Sequence, residues 1–385
     1  MKAKGRCLKL VLLLVALSTL YFFYIGDTDQ NKALEISIDS KIQSDSIKKS
    51  SFINGELRAR LVKVRCKEFP ELKTCLYPSR GVHKRMLPVE DKKFALCVMG
   101  KTGSSNWKTL ILQMRGLITE EEAKNMTYPH SKEYWDDGGT VYYYRKPERN
   151  RKRMVRTIND EYYKITFVRD PLSRLLSGYR DKFTGTSEDH SFKVYRTKRA
   201  IEMCSCVEEL MAIRPDGDIV PKEIYSFMEQ EVEHHCKKGE EFVTLGIFFL
   251  IAIFMPQDFK GDVLKDLIVN THFNDMLSMC DHCRINYDFI GTVETMDSDF
   301  EFLKNKLGIE YDLLQIASTQ TGVMSKGEVQ TMWQNLPYIL KQYVYMWLGN
   351  DATAFGYIGY DVDIDKKLLP RHYERRTNCN NFFNE

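Results

Sequence analysis

The chain has 385 residues, 43% hydrophobic and 28% charged, which excludes a disordered tail protein, a collagen and a many-span membrane protein. Its formal net charge of +3, from 56 basic and 53 acidic residues, lies too near balance for a general nucleic-acid binder. Lys2, Lys4, Arg6 and Lys9 precede the first apolar run, so the rest of the chain carries 52 basic against 53 acidic residues. The positive excess therefore belongs to the N-terminus.

Leu10 to Ile25 is uncharged and rich in Leu, Val and aromatics. As a helix rising about 1.5 Å per residue it covers roughly 24 Å, enough for the thinner membranes of the early secretory pathway. Basic residues before the run, with Asp27 and Asp29 after it, place the N-terminus in the cytosol and the rest in the lumen. A cleaved signal peptide is the competing expectation, with Ala16-Leu17-Ser18 as a weak site; the bulky Tyr21-Phe22-Phe23-Tyr24 argues for an anchor. The expected organisation is a cytosolic tail over 1–9, a signal-anchor over 10–25, a polar stem over 26–65 and a lumenal domain over 66–385. Denser patterning begins near Leu57.

Phe94–Met99 is a continuous apolar run suited to a buried parallel strand. It stops at Gly100-Lys101-Thr102-Gly103-Ser104-Ser105-Asn106, after which Trp107, Leu110, Ile111 and Met114 recur at helical spacing. A strand, a tight glycine-containing loop and a helix N-terminus form an anion cradle of backbone N–H groups, to which Lys101 adds a positive charge. A nucleotide-binding Walker loop needs a further glycine where Ala95 stands, and places its lysine after the phosphate-wrapping turn rather than before it. An ordinary P-loop kinase is therefore disfavoured.

Asn125-Met126-Thr127 is an N-glycosylation acceptor, consistent with a secretory protein. Seven basic residues between Arg145 and Arg156 read either as a solvated face or as a grip on an acidic polysaccharide. Lys164–Val168 is a second strand, and it runs into Arg169-Asp170-Pro171. Pro171 suits the first turn of a helix, with Asp170 as its cap and Leu172, Leu175, Leu176, Tyr179 and Phe183 on one face. Arg169 at the strand end and Ser177 two turns on can hold a second phosphate. Residues 242–255 are uncharged but short for a membrane span, and are expected to form a buried strand or helix.

Nine cysteines follow the anchor, at positions 66, 75, 97, 204, 206, 236, 280, 283 and 379; in an oxidising lumen most should pair, leaving at least one over. Cys97, inside the apolar strand, is the expected free thiol. Cys280-Asp281-His282-Cys283 has no second pair to complete a zinc site, so disulfide bonding is the better reading.

These residues resemble the Golgi carbohydrate sulfotransferases, the group containing the chondroitin and dermatan 4-O-sulfotransferases and the HNK-1 sulfotransferase. GKTGSSNWK (100–108) is similar to that family's PKxGSTNWK loop, and RDPLSRLLSGYRDKF (169–183) matches its second motif throughout. A third block, His272-Phe273, Cys280–Cys283, Tyr287–Gly291 and Glu294-Thr295, resembles HW…CxPC…YDFIGxxET. The resemblance covers roughly 94–307, with a weaker echo at Phe355-Gly356-Tyr357. Gly100 stands for a proline, Ser105 for a threonine and Phe273 for a tryptophan, and the CxPC proline is missing.

The resemblance implies an α/β, P-loop-like sulfotransferase fold with a central parallel sheet flanked by helices, on a single-pass type II Golgi anchor. It implies that Lys101, Thr102, Gly103, Ser104, Ser105 and Asn106 hold the 5′-phosphosulfate of 3′-phosphoadenosine 5′-phosphosulfate (PAPS), and Arg169 and Ser177 its 3′-phosphate. No metal or nucleic acid enters this scheme. Lys101 is the expected charge stabiliser. His130, between the two motifs, is the first choice of base ahead of His190, His272 and Glu294. The expected acceptor is a glycosaminoglycan, N-acetylgalactosamine O-4 of chondroitin; a glycan-binding pseudoenzyme is the non-catalytic alternative.

Overall fold

A computed structural model describes residues 54–69, 72, 85–126, 129, 158, 160–184, 190–212, 221–237, 243–254, 272–314 and 326–360. They all belong to one unit, Ile53–Glu385. The expected anchor, the 145–156 run and His130 lie outside the described residues.

Among the described residues four strands form one sheet in the order β1 (Met86–Val89), β2 (Phe94–Cys97), β3 (Tyr163–Val168) and β4 (Phe289–Thr292). β2, β3 and β4 run parallel, with Leu96 opposite Ile165 and Ile165 opposite Phe289. The sheet is nonetheless mixed, because β1 pairs antiparallel with β2 through a short turn at Glu90–Lys93. The wholly parallel expectation fails at this edge. MLPV is too short and too proline-bearing to read as a strand, and an edge is where a sheet tolerates proline.

Alternation along β2 sends Phe94 and Leu96 to one face and Ala95 and Cys97 to the other. On the first face they join Trp107, Leu110 and Ile111 of α2 (Ser104–Met114) and Phe300 of α9 (Met296–Leu307). On the second they meet Val62 of α1 (Gly55–Glu68) and Met276 of the short α8 (Met276–Met279). Helix α1 is capped by the Asn54 side chain, which accepts from the Leu57 amide. It packs beside β4, where buried Arg58 donates from Nε to Ile290 O and pairs with Asp299. Folded structure thus begins by Asn54, inside the span read as stem.

A third cluster is all helical. It gathers α4 (Pro171–Phe183), α5 (His190–Ala212), α6 (Lys222–Glu231), α7 (Leu245–Phe254), α10 (Lys326–Asn335) and α11 (Tyr338–Phe355). Helix α7 lies within the uncharged segment 242–255, and every residue from Leu245 to Phe254 is buried. A helix apolar on all sides needs neighbours on all sides, and α5, α6, α10 and α11 supply them. Among the described residues no helix is long and apolar enough to cross a membrane.

Among the described residues there are three disulfides: Cys66–Cys283, Cys97–Cys280 and Cys204–Cys236. Cys97 is therefore not free. Cys206 is the free thiol among the described residues, and burial pushes it up to about 11. Cys280 and Cys283 each bond to a distant strand or helix, not to one another. An apolar strand offers no local sign that one of its members is bridged to a segment 183 residues away.

Candidate functional site

The site begins where β2 ends. Lys101 and Gly103 both adopt left-handed backbone, with φ of 69° and 78°. For a lysine this conformation costs about 1–2 kcal/mol, so it persists only where the surroundings impose it. Three contacts do so. Buried Thr102 donates from its hydroxyl to Met99 O at 3.0 Å. Arg174 Nε donates to Gly100 O at 3.1 Å, and Arg169 Nη1 to Lys101 O at 3.4 Å. Gly103 is the N-cap of α2 and offers no side chain to its first turn. The N-terminal amides at Ser104, Ser105 and Asn106 thus carry the partial positive charge of a helix start. Thr102 braces this loop from beneath, its hydroxyl spent inside the protein.

Helix α4 forms the opposite wall. Asp170 caps it, accepting from the Ser173 amide at 2.8 Å, and Pro171 occupies its first turn, as the sequence predicts. Its inner face is apolar, but Arg174, Gly178 and Asp181 follow at i, i+4 and i+7 along one stripe, flanked by half-buried Ser177. Gly178 allows close approach, since a Cβ there would meet Phe273 Cε1 at 3.0 Å and His272 O at 3.3 Å. Asp181 Oδ2 then gathers three nitrogens: Lys101 Nζ at 2.8 Å, Lys182 Nζ at 3.0 Å and His272 Nε2 at 3.9 Å.

The charges in this group are strongly coupled. Burial works against the Asp181 carboxylate, but Lys101 and Lys182 outweigh it and hold the group well below the usual carboxylate range. Burial pulls Lys101 down from the ordinary lysine value, while Asp181 draws it back. The His272 imidazole is pulled down to about 3, first by burial and then by Lys182 and Lys101. Lys108, one turn into α2, is pulled down to about 8 by burial.

Arg169 leaves β3 at the same height. Burial lowers its guanidinium from the ordinary value, with Glu294 and Asp170 opposing. Around it the turn is tied to the C-terminal side of the fold. Asp170 N donates to Glu294 Oε1 at 2.9 Å, and Tyr357 OH donates to Glu294 Oε2 at 3.3 Å. Tyr360 OH donates to Asp170 Oδ2 at 2.7 Å while accepting from Leu172 N.

The structure thus brings Lys101, Thr102, Gly103, Ser104, Ser105 and Asn106 onto one loop and helix start. Arg169 touches that loop, and Ser177 lies on the facing helix. It does not place His130. His190 begins α5. Glu294 serves the Asp170 turn. Asn125 is exposed at the end of α3 (Glu120–Lys124), its side-chain amide donating to Glu121 O. Arg174 and Asp181 were missed, although the signal was there: two charged residues interrupting the apolar face of a helix. Asp351 of α11 was beyond reach; buried, it accepts from Met276 N and Leu277 N and fixes the segment carrying His272.

β2 and β3 run parallel, and their ends carry a lysine loop and an arginine beside a helix start, an arrangement able to offer positive charge and backbone N–H groups to an anion. The description "Sulfotransferase family" matches residues 84–358, and the chain belongs to that family. It is similar to carbohydrate sulfotransferase 11 of Rattus norvegicus, 25% identical over 228 residues, which are 59% of this chain and 53% of the relative. Carbohydrate sulfotransferase 12 of Mus musculus is 24% identical over 277 residues, 70% of this chain and 59% of the relative. Carbohydrate sulfotransferase 9 of Homo sapiens is 26% identical over 231 residues, 58% and 41% respectively. The chain spans about half the length of the relatives it matches. No solved structure matches it significantly.

Proposed function

We propose that this protein is a PAPS-dependent carbohydrate sulfotransferase, held in the Golgi membrane by its N-terminal anchor, that sulfates a glycosaminoglycan at N-acetylgalactosamine O-4 of chondroitin. The observation that carries the reading is the loop after β2. Lys101 is held in left-handed backbone at an uncapped helix start, and Arg169 from the next parallel strand reaches the Lys101 carbonyl. The preference for chondroitin rests on the motif resemblance at 100–108, 169–183 and 272–295.

The donor supplies an activated sulfuryl group on a phosphate leaving group; the chain's task is positioning and charge stabilisation. Residues 103–106 offer backbone N–H groups and a helix dipole to the phosphosulfate. Lys101 neutralises charge that develops on the bridging oxygen, and leaves Asp181 to do so. Arg169 and Ser177 take the 3′-phosphate, the arginine through its planar fork. Lys101 precedes the left-handed turn at Gly103, unlike the lysine of a nucleotide-binding Walker loop.

The full chain, expressed through a secretory pathway, is incubated with radiolabelled PAPS and desulfated chondroitin, dermatan and heparan acceptors. Incorporation should favour chondroitin and fall by about 10²–10³ in Lys101→Ala and Arg169→Ala. Retained PAP (3′-phosphoadenosine 5′-phosphate) binding without transfer to any glycan would refute the enzymatic reading in favour of a glycan-binding pseudoenzyme.

A further inference from the structure

We infer that His272, on the segment between α7 and α8, is the base that takes the proton from the acceptor hydroxyl. The inference rests on the donor reading above and assigns that site its missing catalytic group. The geometry is specific. A Cβ on Gly100 would stand 3.0 Å from His272 Cδ2 and 3.3 Å from Nε2, so the imidazole lies directly against the first residue of the anion loop. Its Nε2 is 3.9 Å from Asp181 Oδ2, close enough for an ion pair once protonated.

Four independent ties hold this ring in place. Its backbone packs on Gly178 of α4. Arg174 Nη1 donates to Asn274 O at 2.8 Å while Nε of the same guanidinium holds Gly100 O. Asp351 caps the α8 start at Met276 and Leu277. The Cys97–Cys280 disulfide joins the segment to the strand that feeds the loop. Loop and imidazole are thereby fixed to each other from both ends.

The neighbouring carboxylates are worse acceptors. Asp181 is committed to Lys101 and Lys182, and Glu294 accepts from Asp170 N and Tyr357 OH. The charged groups facing His272 are Asp181 and Lys182 from α4, Lys101 from the loop, and Arg174. Before the donor binds, burial and these cations keep the ring neutral and weakly basic. A bound polyanion offsets Lys101 and Lys182 and so strengthens the base when it is needed. In the transfer step the hydroxyl O–H bond breaks as its oxygen bonds to sulfur. The sulfur–oxygen bond to the 5′-phosphate breaks, its electron pair leaving on PAP. The proton goes to His272 Nε2, and the imidazolium formed faces the Asp181 carboxylate.

The test uses the full chain and two substitutions, His272→Ala and His272→Gln, the second filling the space without accepting a proton. Turnover should fall by about 100-fold or more in both, with PAP affinity by calorimetry retained within about threefold. Added imidazole should restore part of the activity to His272→Ala, and the acid limb of the wild-type kcat profile should be absent from the variants' residual activity. Turnover of His272→Gln within about tenfold of wild type, or a parallel loss of PAP affinity, overturns the assignment. So does loss of turnover in His130→Ala with His272→Ala turning over normally. A wild-type chain that transfers sulfate while both His272 variants do so equally well sinks this inference alone. A wild-type chain that neither binds PAP nor transfers sulfate sinks the donor reading and this inference with it.

Discussion

Replacing Arg174 by methionine cuts a strap between three parts of the site. The side chain is 4% exposed and donates to Gly100 O at 3.1 Å and Asn274 O at 2.8 Å. Hydrogen bonds from a charged donor contribute about 1.5–3 kcal/mol each, and here both acceptors are left without that partner. Against this, methionine removes the cost of burying a guanidinium, a cost visible in the fall of Arg174 to about 10. It also loosens the compensation of the buried Asp351 carboxyl. The balance is a loss of about 2–4 kcal/mol, comparable to breaking a buried pair. For a body of this size that lowers the unfolding midpoint by about 3–6 °C. Turnover should fall further than stability suggests, because a displacement of about 1 Å at a positioned group costs up to about 100-fold. Arg174→Lys keeps the charge and loses the planar fork, and should recover only part of either quantity. Thermal unfolding with and without PAP, alongside single-turnover transfer, measures both. An Arg174→Met protein within about 1 kcal/mol of wild type and turning over normally would refute the strap.

Acid should destabilise the fold through its histidines. His282 is buried between Tyr287 and Phe355, and burial pulls it down to about 4 against two opposing backbone hydrogen bonds. Below about pH 6.5 the unfolded chain takes up a proton there that the folded chain refuses, so stability falls as pH drops. His282 alone should cost about 2 kcal/mol between pH 6.5 and 5. Urea unfolding at the two pH values, with His282→Gln flattening the slope, checks this; equal stabilities at pH 7 and 5 would contradict it. Removing the Cys97–Cys280 bridge as Cys97→Ser/Cys280→Ser should cost about 2–5 kcal/mol and weaken PAP binding. Removing Cys204–Cys236, which joins α5 to the π-helical turn Val232–Cys236 that follows α6, should lower stability and leave PAP affinity unchanged. Equal effects on PAP affinity, measured by calorimetry, would show that the first bridge does not brace the site.

The two strand–loop–helix motifs were legible because each is local. A buried strand, a break and a helix start lie within about fifteen residues in both cases, and hydrophobic period and capping chemistry mark them without tertiary information. Asp170 caps α4, and Leu172, Leu175, Leu176, Tyr179 and Phe183 are all buried, as their spacing predicts. What stayed hidden is what joins distant segments. Asp181 reads as one charge within Arg-Asp-Lys, and only the fold shows that Lys101 is its partner. Cys97 reads as core because it is core, and its bridge to Cys280 adds no local signature. Burial of 242–255 was legible in its lack of charge, but its neighbours were not: helix α7 has no polar face because α5, α6, α10 and α11 surround it.

The departures from the family pattern acquire physical content at the same place. Phe273, where a tryptophan is usual, packs with its ring centroid 5.9 Å from Phe183 and 5.1 Å from Phe248. Gly100, where a proline is usual, is not required by backbone angle, since its φ is not in the left-handed region. Space is tight instead: a Cβ there would stand 3.0 Å from His272 Cδ2, which would have to give by a few tenths of an ångström. Without proline's rigidity the loop must be held otherwise, and Arg174, Thr102 and Arg169 do so from below and from the side.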